Sequence, residues 1–186
     1  MTFLSRIAML PLAVLLISTA PAGQVIPFPD VEGEALIVPA DSPVKFTHFD
    51  KYGVAHFTGR FVLTGTYFIE GCEQDCPGFD ENDLDVDVFP DPELEAHLPH
   101  WKVHNNDISM SIRPERKLLG LITNSQQRAA LTNGKANDIR GHISIVVEDF
   151  ETSLECDSAN FSARYVGLFK APKIAHVEFK GNYGCG

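Results

Sequence analysis

Along most of this chain apolar and polar residues alternate with a period of two, which marks strands that bury one face. Between positions 55 and 69 one face carries Phe57, Phe61, Leu63, Tyr67 and Ile69, and the other carries His56, Thr58, Arg60, Thr64 and Thr66. Gly59 and Gly65 interrupt the apolar face, where a missing side chain permits a bend or a close backbone approach. This segment reads as one long curved strand or as two strands meeting at a bulge. Leu84, Val86 and Val88 alternate with Asp83, Asp85 and Asp87, and Ile108, Met110 and Ile112 predict a short strand. The alternation returns over 139–147, 160–169 and 175–179, and shorter strands are expected at 36–38, 44–48 and 118–123.

One helix interrupts the pattern. Asn124 or Ser125 can cap it, Gln126 to Leu131 are good helix formers, and Asn133-Gly134 ends it. Two turns near 125–132 are too short to serve as the crossover between parallel strands. The predicted fold is all-β: an antiparallel sandwich or a partly open barrel of about nine strands with this one short helix.

The N-terminus predicts a processing event. Arg6 precedes an apolar run over 7–20, and Ala20-Pro21-Ala22 has the small-x-small form of a signal-peptidase site. The run is shorter than the roughly 20 residues that span a bilayer. The expectation is a signal peptide at 1–22 and one domain at 23–186, periplasmic or secreted, with no transmembrane segment once the signal is removed.

Charge is unevenly spread. The net charge is −10, yet residues 23–100 hold 16 acids against Lys45, Lys51 and Arg60, while residues 101–186 hold 9 acids against 11 bases. Nucleic acid needs a concentrated basic surface and is excluded as a partner. The acidic half favours a protein or small-ligand partner that is basic or cationic.

After export, an even cysteine count reads as two disulfides. Four cysteines allow three pairings; the expected one joins Cys72 to Cys76, closing a small loop, and Cys156 to Cys185, tying down the C-terminus. A redox role is disfavoured, because the C-x3-C spacing carries Glu73 and Asp75, anions that raise a thiol pKa.

Two clusters carry the candidate chemistry. Residues 70–95 hold 11 acids and no Lys or Arg, with Asp83, Asp85 and Asp87 on one strand face. Such a row is either a solvated face or a calcium site, although no EF-hand order is present. His97, His100 and His104 surround Trp101, offering imidazoles to zinc and an aromatic anchor for binding. Pro99 argues against a helix that would stack them. No G-x-S-x-G, H-E-x-x-H or S-x-x-K motif is present. The sequence therefore reads as a non-catalytic binding or interaction module using loops at one end of the sheet. The rival reading is a cell-envelope hydrolase, either metal-dependent through the three histidines or carboxylate-based.

Overall fold

The computed structural model describes residues 23–29, 31–72, 78–104, 107–155, 158–173 and 176–179. The export segment 1–22 and the cysteines Cys76, Cys156 and Cys185 lie outside the described residues. Eleven strands and three helices are present among the described residues. The first part holds β1 (Gln24–Pro27), β2 (Ala35–Val38), β3 (Lys45–Phe49), β4 (Ala55–Thr58), β5 (Arg60–Glu70) and β6 (Asp87–Pro90). Then come α1 (Pro92–Glu95), β7 (His100–Trp101), β8 (Met110–Arg113), α2 (Glu115–Ile122) and α3 (Ser125–Thr132). The chain continues through β9 (Ala136–Glu155), β10 (Ser158–Lys170) and β11 (His176–Phe179).

Five strands close into a ring. β5 pairs antiparallel with β6, and β6 with β8. β8 runs parallel to β10, β10 pairs antiparallel with β9, and β9 returns to β5. The all-β expectation therefore resolves as a barrel. Its interior is filled by the inward residues of the alternation, among them Leu63 and Ile69 of β5, Val88 of β6, Met110 and Ile112 of β8, Ile143 and Ile145 of β9, and Ala163 of β10, all buried. The β3–β4 hairpin continues the sheet along one end of β9, and β11 pairs with the other end. A separate three-stranded sheet has the order β1-β2-β7.

The 55–70 segment is two strands meeting at Gly59, whose φ of +133° lies outside the range that side-chain-bearing residues favour. Opposite it on β9, Asp149 has φ +51°. Before Asp149 the inward residues of β9 are Ile143, Ile145 and Val147; after it they are Phe150 and Thr152. One inserted residue switches the inward face from odd to even positions, as a bulge does.

Three expectations change. The strand predicted at 118–123 is the helix α2, because Leu118, Leu119 and Ile122 are spaced to bury one helical face and all three are buried. A short apolar run has no period of its own, so its neighbours decide it. The 84–88 alternation is real, with Leu84 and Val86 buried, but strand pairing starts only at Asp87. β1 and β7, too short to show a period, bring the strands to eleven. The predicted helix is α3, closed by a capping box in which Asn124 and Gln127 each accept the other's backbone N–H at 2.9 Å.

Aromatic rings join the small sheet to the barrel. Trp101 of β7 meets Phe28 and Phe49 at centroid distances of 5.1 and 6.2 Å, and Phe57 meets Phe150 at 5.1 Å. Among the described residues no helix is long and apolar enough to cross a membrane.

Candidate functional site

Strand register sets six residues in one line across the outward face of the larger sheet. His48 lies opposite His56, His56 opposite Glu151, Glu151 opposite Ser162, Ser162 opposite Ser111, and Ser111 opposite Asp87. The row thus crosses β3, β4, β9, β10, β8 and β6. Successive members are neighbours because directly opposed residues share a face, so each can bond the next.

Hydrogen bonds and ion pairs tie much of the row together. Ser111 donates its hydroxyl to Asp87 Oδ1 at 2.7 Å. Arg113, two residues along β8, donates to the Ser162 hydroxyl and lies 3.6 Å from Glu151. His56 has Nδ1 3.0 Å from Glu151 and Nε2 3.6 Å from Asp50, and its ring stacks on His48 at 4.9 Å. The Val54 N–H, with help from the Tyr52 N–H and His56, holds the Asp50 carboxyl below its usual value.

Above this row lies a groove of about 550 Å³, lined by Asp87, Ser111, Arg113, Glu151 and Ser162 together with Ser109, Ser153, Glu155, Asn160 and a few apolar neighbours. Its volume falls within the usual range for ligand sites. Thr152 also lines it, fully buried, with its hydroxyl already accepting the Trp101 indole N–H at 2.9 Å.

The histidines singled out from the sequence go to separate partners. His97 bonds Asp41 at 2.8 Å on an exposed surface and holds that carboxyl below its usual value. His100 Nδ1 faces the Leu98 carbonyl at 3.2 Å. His104 bonds Glu34 at 2.8 Å. Among the described residues no three His, Cys, Asp or Glu side chains gather in metal-ligand geometry. Trp101, read as a binding anchor, is fully buried and serves as the joint between the two sheets. A large ring with one donor stabilises most when the ring is buried and the donor satisfied, and this packing meets both conditions.

Asp83, Asp85 and Asp87 do share the outward face, and only Asp87 reaches the groove. Burial first, then the charges of Asp87, Glu115 and Asp83, push the Asp85 carboxyl up. Cys72 is buried and its thiol is not free.

Sequence reasoning passes over His56, Ser111, Glu151 and Ser162, each an unremarkable polar position on an outward strand face. It also passes over Glu34, a buried carboxylate that accepts from the Ala35 N–H at 2.9 Å, the Val103 N–H at 3.1 Å and His104. Burial alone would raise Glu34; these three bonds outweigh it and hold the group below its usual value. The only local hint is an acid placed directly before the apolar run Ala35–Val38.

Compared with known proteins, the chain matches no family model, no curated protein and no solved structure.

Proposed function

We propose that this protein is a non-catalytic binding module whose ligand sits in the groove on the outward wall of the barrel. The observation that carries the reading is the polar row from Glu151 through Ser162 and Ser111 to Asp87, which lines one open groove with small hydroxyls and carboxylates. The seat is a strand face rather than the loops at one end of the sheet. In chain order the ring runs first, second, third, fifth, fourth, with its one parallel contact between third and fifth. That connectivity resembles the Greek-key barrels of the OB type, which bind ligands on the face of their second and third strands. Such likeness supports a binding role and names no ligand.

The geometry favours binding over hydrolysis. Ser162 accepts from Arg113, and His56 is directed at two carboxylates, so no serine–histidine relay forms in the row. Glu151 and Asp87 are three strands apart, about 14 Å along the sheet. Carboxylate pairs in glycoside hydrolysis stand within about 5–10 Å of each other. Backbone NMR of the labelled full chain, titrated with basic peptides, polyamines and neutral oligosaccharides, tests the reading. Shifts clustered at Ser109, Ser111 and Ser162 are expected; a ligand that moves only residues elsewhere refutes the assignment of the groove.

The protein works outside the cytoplasm in this reading, with residues 1–22 removed and Cys72 closed onto Cys76. The supports are the charged start, the apolar run and the Ala20-Pro21-Ala22 site, with a Cys72 thiol that is not free. Intact-mass measurement of the exported protein tests both points.

A further inference from the structure

The groove has a property that its side chains alone do not convey: it opens onto a strand edge that no other described strand covers. The parallel ladder between β8 and β10 begins at Met110 opposite Phe161. The residues just before, Ser109 and Asn160, both line the groove yet do not pair with each other. The two strands therefore diverge there. Residues 158–160 of β10 pair with β9 on one side, and among the described residues no backbone hydrogen bond covers their other side. An uncovered edge presents N–H and C=O groups at strand spacing, which is a template for another extended backbone.

Side chains at this edge are small. Ser109 and Ala159 leave room for a main chain to approach. The charge of the groove selects the occupant. Glu151 is balanced by Arg113, whereas Asp87 and Glu155 have no cationic partner among the described residues. A polyamine satisfies those carboxylates but has no carbonyl to accept the edge N–H groups. An oligosaccharide leaves both charges uncompensated and finds no exposed aromatic ring on which to stack, since Phe161 is buried.

Resting on the proposed role of the groove, we propose that its occupant is an extended basic peptide segment. The segment adds as a strand along residues 158–160 and places Lys or Arg side chains at Asp87 and Glu155. Main-chain hydrogen bonds supply the affinity, and the two carboxylates supply the choice of partner.

The test uses the labelled full chain and a capped pentapeptide of alternating lysine and valine. Comparison probes are the glutamate–valine peptide, spermine, a neutral oligosaccharide, and the lysine peptide N-methylated on alternate residues in each of two registers. The lysine peptide is expected to shift Ser109, Ala159 and Asn160, and one methylated register to lose binding while the other keeps it. Glu155→Lys, on an exposed side chain, is expected to weaken binding at least tenfold without changing the melting temperature. The glutamate peptide is expected to leave the groove unmoved. Equal binding by both methylated registers, or tighter binding by spermine or the oligosaccharide in the same groove, overturns strand addition and leaves the groove as the site. If no probe moves a groove resonance, both the peptide assignment and the binding role fall.

Discussion

The indole N–H of Trp101 bonds the hydroxyl of Thr152 at 2.9 Å, and both residues are buried. Through this contact the small sheet holds the β9 segment that lines the groove. Thr152→Val keeps the volume and removes the acceptor, leaving a buried donor unsatisfied at a cost of about 1–3 kcal/mol. A lower melting temperature is expected, with NMR shifts reaching Glu151 and Ser162. An unchanged melting temperature means the bond contributes nothing to stability.

Glu34 gives the stability of the protein an acid limb. Its folded pKa is lowered from 4.5, so its bonds to Ala35, His104 and Val103 contribute fully above pH 4.5. That contribution is lost as the pH falls through the lower folded value, where the carboxylate protonates. Glu34→Gln should cost about 1–3 kcal/mol at neutral pH. Denaturant titrations from pH 7 to pH 3 should show the wild type converging on the variant; parallel curves contradict this account.

Tyr67 carries a buried hydroxyl with no hydrogen-bond partner among the described residues, and its ring packs over Gly141, its register partner on β9. Tyr67→Phe removes the orphan group and is expected to be neutral or to stabilise by up to about 1 kcal/mol. A Cβ added at Gly141 would stand 2.6 Å from the Tyr67 ring and hydroxyl. Gly141→Ala should therefore destabilise by about 1–3 kcal/mol. A loss in Tyr67→Phe comparable to that of Gly141→Ala shows that the hydroxyl has a partner.

Asp85 works the other way. Burial, with Asp87, Glu115 and Asp83 adding to it, raises its folded pKa above 3.8, so the ionised form is a penalty in the native state at neutral pH. The penalty disappears as the pH falls below the unfolded value. Asp85→Asn should raise the melting temperature at pH 7, with the gain shrinking toward pH 3. A variant less stable than wild type at pH 7 shows that Asp85 makes a favourable contact.

What the sequence determined by itself was local. Alternation settled where the longer strands run and which side of each faces inward, because a period of two is written in consecutive residues. The capping signals around Asn124 located α3, since a cap bonds within one turn. Tertiary structure decided the rest. Leu118 to Ile122 became a helix because its buried face suited the neighbouring core, and Trp101 went inward because Thr152, fifty-one positions away, could take its N–H. The candidate site belongs wholly to this second class. His56, Asp87, Ser111, Glu151 and Ser162 are scattered over more than a hundred positions, and strand pairing alone sets them side by side. A strand's own residues fix which face is buried; which strand lies next to it, and in what register, depends on closing the whole barrel around its core.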